Sequence, residues 1–224
     1  MRKMIIAALL SLFPWTVRRC VFNLLFGYKI HRNAYISRFV LIGAEKIEMA
    51  SGSMLSAGCV VKGVSLLQMD EKSYIGTLNW ISAFPIGTGS KHFIRDTQRH
   101  TVLHLKRQAS ISSRHIIDCT DSVVVGEFST IAGYRSQVLT HSLNLQESQQ
   151  RCLPVSIGKY CFLGTAVTVL PGSFLPDYSV LAAHSLLNKC EADQWMLYGG
   201  VPAKKIRSIN RDDLYFRREV GFVE

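Results

Sequence analysis

Side chains able to do acid–base, nucleophilic or metal chemistry are thinly spread in this chain. Seven histidines are present: His31, His92, His100, His104, His115, His141 and His184. An imidazole with a pKa near 6.5 accepts a proton at neutral pH, so each could serve as a general base. His115 stands in Arg114-His115-Ile116-Ile117-Asp118, and His141 in Thr140-His141-Ser142, beside a polar run from Gln146 to Arg151. The six cysteines, Cys20, Cys59, Cys119, Cys152, Cys161 and Cys190, never fall in a Cys-x-x-Cys spacing. Neither zinc nor thioredoxin-like chemistry is signalled, and buried thiols in a reducing compartment are expected. Gly87-Thr88-Gly89-Ser90-Lys91 has the composition of a phosphate loop but neither its spacing nor the helix that should follow.

The elements that must position these groups follow a repeat. Aliphatic residues stand at Ile157, Leu163, Val169, Leu175, Leu181 and Leu187, each step six residues long. Four positions after the first five come Cys161, Val167, Ser173, Ser179 and Ser185, all small. A helix would show spacings of three and four, and a strand a spacing of two. A period of six with one large and one small inward residue fits a triangular coil, in which each hexad forms one flat side and three complete a turn. Upstream triplets keep the same register: Ile30, Ile36 and Ile42; Met49, Leu55 and Val61; Met69, Ile75 and Ile81; Leu105, Ile111 and Ile117; Val125, Ile131 and Gln137. Stacked coils bury the large residues in one continuous core, so an all-β solenoid, a parallel β-helix, is expected over residues 30–190.

Two segments, 82–104 and 138–154, break the ladder. Insertions in a solenoid map to surface loops, often on the binding face. Residues 1–29 form an apolar, basic appendage. Met4 to Trp15 and Val21 to Phe26 are each too short for the roughly 20 residues that span a bilayer, and no small-x-small cleavage site follows them. Three readings stay open: a helical hairpin or amphipathic segment lying on a membrane surface through residues 1–26, a helix capping the open end of the solenoid and burying its leucines there, or, less favoured, a cleaved secretory signal. Residues 191–224 read as a turn followed by a helical tail from Lys205 to Arg218. The chain of 224 residues carries a formal net charge of +10. That balance suits an anionic partner, yet no nucleic-acid motif is present and the cations are dispersed, so no nucleic acid is expected.

Val155-Ser156-Ile157-Gly158-Lys159-Tyr160-Cys161-Phe162-Leu163-Gly164-Thr165, then Leu170-Pro171-Gly172, then Gly200-Val201-Pro202-Ala203-Lys204 resembles the hexapeptide-repeat acyltransferases. The nearest branch is the galactoside and maltose O-acetyltransferases and the related enzymes of capsule and lipopolysaccharide assembly. The resemblance is specific over residues 123–207, fainter over 30–122, and does not extend to 1–29. It implies a left-handed β-helix, a homotrimer, acetyl-CoA as co-substrate with no metal, and as acceptor a sugar hydroxyl on a polysaccharide or lipid-linked glycan precursor. A cytoplasmic location, peripheral at the inner face of the membrane, goes with that chemistry.

In that family a histidine just before the penultimate block of hexads removes the acceptor's proton. The matching residue is His141, 16 residues before Ile157. The family also places an acidic or amide group near the acceptor. Asp118 matches as a group that orients His141 or binds the sugar, or else caps backbone amides at a corner; His115 is a weaker alternative. The coenzyme's arm would run between coils along Thr165, Ala183, Asn188 and Lys189, with Lys204 and Arg207 meeting its 3′-phosphate. The chain departs from the pattern at Cys161-Phe162-Leu163-Gly164, where Val-Trp-Ile-Gly is usual. It departs again at His184, where glycine is usual, and at Asn188-Lys189-Cys190, where Thr-Lys-Asp is usual. Competing classes are N-acetylation of an amino sugar or small amine, a non-catalytic β-helix scaffold, and a zinc enzyme. The last would need histidines at coil-matched positions, and His115 and His141 are not one coil apart.

Overall fold

An aliphatic residue every six positions is buried only if the chain turns a corner between successive rungs, and that requirement sets the architecture. The computed structural model describes residues 2–221 and 223. The chain forms a left-handed parallel β-helix with three faces. Face A carries seven strands, from Lys29–Ile30 through Val123–Val125 and Val155–Ile157 to Phe174–Leu175. Face B carries nine, from Tyr35–Ile36 to Lys204–Ser208, and face C seven, from Leu41–Gly43 to Leu186–Leu187.

The strands pair in the register that the hexads demand. On face A the rungs align as Ile30, Met49, Met69, Leu105, Val125, Ile157 and Leu175. On face B they run Ile36, Leu55, Ile75, Ile111, Ile131, Leu163 and Leu181. Face C aligns Ile42, Val61, Ile81, Ile117, Val138, Val169 and Leu187. No rung is more than 3 % exposed. One expected rung is displaced: Val138 points inward and Gln137 outward, because the corner between Ile131 and face C is one residue longer than a hexad allows. The small inward residues also behave as expected; Cys161, Val167, Ser173, Ser179 and Ser185 are all buried. Cys59, Cys119, Cys152 and Cys161 are buried free thiols, while Cys20 and Cys190 are exposed.

Many corners take a residue through the left-handed region, which side chains rarely adopt. At the A–B corner Phe128, Tyr160, Tyr178 and Trp195 all do so, with φ of 57°, 53°, 57° and 58°. Their rings stack in consecutive coils, with centroids 4.7, 5.4 and 4.2 Å apart. The contact between coils offsets the backbone strain.

The first coil has no strand beneath it, so its backbone groups need other partners. Two helices, α1 (Arg2–Leu10) and α2 (Trp15–Phe26), supply them. Lys3 Nζ donates to the carbonyls of Ala44 and Glu45, and Arg18 Nη2 to that of Ser37. Asn23 exchanges two hydrogen bonds of 3.1 Å with the backbone of Ile30. Ala7 and Phe22 bury against the coil. The hairpin therefore caps the solenoid, but the expected burial of its leucines is met only by Leu10, which packs against the core; Leu9, Leu12, Leu24 and Leu25 face outward. None of the helices described is long and apolar enough to cross a membrane.

At the other end, the expected helical tail over Lys205–Arg218 is replaced by an edge strand. Lys204–Ser208 pairs antiparallel with Met196–Gly199 and covers the last coil, leaving only a 3-10 turn at Leu214–Arg217. The insertions are narrower than expected, because Trp80–Ser82 and Val102–Leu105 belong to the faces. The second insertion is a hairpin of His141–Asn144 with Gln149–Cys152.

Removing a rung should leave a hole that neighbouring coils cannot fill. Leu163→Ala is expected to lose about 2–5 kcal/mol of unfolding free energy in a denaturant titration. Leu145→Ala, at a position 83 % exposed on the hairpin, is expected to change stability by less than about 0.5 kcal/mol.

Candidate active site

Asp118 ends the face C strand Ile116–Asp118, and His141 follows the strand stacked on it, Gln137–Val138. Both therefore reach the corner between faces C and A, where the hairpin opens the coil. His141 Nδ1 lies 2.7 Å from Asp118 Oδ2. The carboxylate is 7 % exposed and accepts four further hydrogen bonds. Thr120 N and Oγ1 donate to Oδ1 at 3.1 and 2.7 Å. Thr140 N and Oγ1 donate to Oδ2, each at 2.9 Å.

Burial alone would raise the Asp118 carboxyl, but the hydrogen bonds from His141, Thr120 and Thr140 outweigh it and hold the pKa at about 2. Asp118 is therefore ionised, and His141 Nδ1–H is the donor between them. That fixes the tautomer and leaves Nε2 as the basic nitrogen. The hydrogen bond to Asp118 raises the His141 pKa, with burial acting against it.

The loop 83–101 walls the site. Phe93 meets the His141 ring edge-on, with centroids 5.8 Å apart. Arg99, 9 % exposed, stacks over Phe93 and donates to the carbonyls of Phe84, Pro85 and Thr120. Asp96 ties the loop to the hairpin by accepting from Arg151 Nε and Cys152 N. A cavity of about 290 Å³ remains, lined by Ser82, Phe84, His92, Phe93, His141 and Gln150, with Asp118 and Thr120 at its base. A molecule entering it would meet the His141 imidazole and the rings of Phe84, His92 and Phe93.

The other sequence-predicted residues lie elsewhere. His115 belongs to the B–C corner and is 1 % exposed. Its Nδ1 accepts from Ser136 N at 3.1 Å, and its Nε2 lies 3.0 Å from Ser112 Oγ. Burial pushes its pKa down to about 4. The expectation that His115 orients the base or touches an acceptor does not hold, since both ring nitrogens are used inside the corner.

Thr165 and Ala183 also occupy the B–C corner. A Cβ on Gly164 would come 2.6 Å from Ala183 N, so small residues are required for the coils to meet there. Asn188 and Lys189 are on the C–A corner, two coils beyond His141, and Lys189 pairs with Glu191 at 3.4 Å. Lys204 and Arg207 stand exposed on the edge strand of face B. One chain thus unites Asp118 with His141 but places Thr165 and Ala183 on a different corner. The residues that sequence reasoning misses are Thr120, Thr140, Phe84, Phe93 and Arg99. The Asp-x-Thr and Thr-His spacings are the available signal for the two threonines. Among the described residues no cluster of three His, Cys, Asp or Glu is placed to hold a metal ion.

No family model matches the chain, and no curated protein matches it. Solved structures do. The polysialic acid O-acetyltransferase OatWY is similar with a TM-score of 0.60 and 16 % identity, over 84 % of this chain and 90 % of that one. AntD, an N-acyltransferase from Bacillus cereus in complex with dTDP and 3-hydroxybutyryl-CoA, gives 0.52 and 15 %, over 90 % and 91 %. The polysialic acid-specific acetyltransferase NeuO gives 0.50 and 13 %, over 83 % of each chain. At these identities the likeness is one of fold, and it bears out the hexapeptide-repeat β-helix read from the sequence.

The pairing of Asp118 with His141 has a spectroscopic signature. In an NMR titration His141 is expected to titrate above the ordinary value of about 6.5, and Asp118→Asn is expected to lower it. An unchanged value would mean the two side chains do not interact in solution.

Proposed function

We propose that the protein is an acetyl-CoA-dependent O-acetyltransferase acting on a sugar hydroxyl of a polysaccharide or lipid-linked glycan precursor, with His141 as general base. The observation that carries this reading is the His141–Asp118 pair, its Nε2 turned to a cavity at a break in the β-helix. The similarity of fold to two O-acetyltransferases and an N-acyltransferase supports it.

A sugar hydroxyl is a poor nucleophile at neutral pH, so its proton must leave as the oxygen attacks the thioester carbonyl. His141 Nε2 takes that proton, and ionised Asp118 stabilises the imidazolium that forms. The C–S bond breaks as the carbonyl re-forms, and His141 returns the proton to the departing thiolate. Thr120 and Thr140 keep the carboxylate aimed and charged. In this reading Thr165, Ala183, Asn188 and Lys189 line the coenzyme's path, and Lys204 and Arg207 meet its phosphates. The separation of Thr165 and Ala183 from His141 on different corners supports a homotrimer in which one protomer's B–C corner faces another's C–A corner. A reaction drawing on acetyl-CoA belongs on the cytoplasmic side.

Label from radioactive acetyl-CoA should pass to members of a panel of glycans, and His141→Ala should lower the rate by about 10²–10⁴-fold with the oligomer's mass unchanged in light scattering. Retained activity would remove His141 from the role of base. Label appearing only on amino sugars or amines would replace the hydroxyl acceptor.

The pH profile should carry the sign of the pKa shift. The base must be unprotonated, so kcat/KM should rise with pH through the raised pKa of His141. Asp118→Asn should move that limb to lower pH while reducing the plateau.

A further inference from the structure

The capping hairpin uses only half of its apolar surface. Ala7, Phe22 and the hydrogen-bonded Lys3, Arg18 and Asn23 face the first coil. On the opposite side Ile5, Leu9, Leu12, Val17, Leu24 and Leu25 are between 44 and 79 % exposed. Ile5 and Leu9 stand four apart on α1, Leu12 follows in the turn after it, and Val17, Leu24 and Leu25 share one face of α2. A helix apolar on both faces normally has a second partner.

The charge around this stripe says what kind. Residues 2–44 contain Arg2, Lys3, Arg18, Arg19, Lys29, Arg32 and Arg38 and not one Asp or Glu. Lys3 and Arg18 donate inward to carbonyls, and Lys29 pairs with Glu48. Arg2, Arg19, Arg32 and Arg38 make no ion pair among the described residues. A second copy of this end would bring like charges together, whereas an anionic bilayer answers both the apolar stripe and the arginines. Neither helix, of nine and twelve residues, can cross a bilayer, so the hairpin would lie flat.

We propose that the outer face of the α1–α2 hairpin is a docking surface for an anionic lipid bilayer, with the leucines in the acyl boundary and the arginines at the headgroups. The solenoid then stands on the membrane by its N-terminal end. This does not depend on the acyl-transfer reading. If three chains assemble about an axis parallel to their coils, all three hairpins face the same way, and weak single contacts add.

Co-sedimentation of the full chain with vesicles tests the surface. Phosphatidylcholine vesicles containing about 30 % phosphatidylglycerol should bind it at least about tenfold better than phosphatidylcholine alone, and raising salt to about 0.5 M should weaken that binding. Leu9→Ser, Leu12→Ser, Leu24→Ser and Leu25→Ser together should lower partitioning at least about tenfold with the melting temperature held. Arg19→Glu with Arg32→Glu should remove the preference for anionic lipid. Wild-type protein that ignores anionic vesicles overturns the proposal, as does a serine variant that binds as well as wild type. A serine variant that loses subunits instead would overturn it by showing that another copy covers this face.

Discussion

One large aliphatic residue must fill each flat side of each coil, and everything else in the molecule is arranged around that constraint. The rungs stack in three columns with residues aligned in register along each one. Each inward side chain touches the rungs above and below it, so burial is continuous along the axis and local across it. The interior has no room for chemistry, because its cross-section is already full. Polar function must therefore sit at corners, at interruptions, or at the two ends where stacking stops. The His141–Asp118 pair is at an interruption, the α1–α2 hairpin at one end, and the Lys204–Ser208 edge strand at the other.

The buried carboxylate shows how a corner tolerates charge. An ionised group withdrawn from water is strongly disfavoured unless its oxygens are hydrogen-bonded. Asp118 meets that condition with two threonine hydroxyls, two backbone amides and one imidazole. Four of the five donors come from the residue two positions later and from the residue one coil up. The carboxylate is thus fixed by the corner itself, and its orientation does not depend on the outer loop. Among the described residues the His141 ring, by contrast, hydrogen-bonds only to Asp118 and meets Phe93 edge-on, which leaves its Nε2 without a protein partner.

The ladder is legible because each rung is a local fact about residue type at a fixed spacing. Gln137 misleads because corner length is not written in the rungs; an extra residue before Val138 shifts the phase. The Lys204–Ser208 strand reads as helix because it is an edge strand with every residue exposed, so it has no alternation to reveal it. A motif singles out His141, but its contact with Asp118, 23 residues away, follows from stacking and corner geometry that no spacing rule expresses. His115 reads as available because its burial is imposed by Asn79, Ser112 and Ser136, each from a different strand or corner.

The least legible part, the loop 83–101, is joined to the site by shared atoms. Thr120 Oγ1 donates to Asp118 and also accepts from Phe84 N at 3.1 Å. Arg99 Nη1 bridges the carbonyls of Phe84 and Thr120 at 2.6 and 3.0 Å. Lifting the loop at Phe84 would take two of its three carbonyl acceptors from the buried Arg99 guanidinium and one of two partners from the Thr120 hydroxyl; a buried neutral group left unpaired costs about 1–3 kcal/mol and a charged one more. The root of the loop is therefore part of the corner, whereas its outer turn, Ile86–Ser90, is exposed and two of its glycines take positive φ. The wall facing His141 and the carboxylate meet at Thr120, which donates to Asp118 and accepts from the root of the loop, so the shape of the cavity and the setting of His141 are joined through one residue.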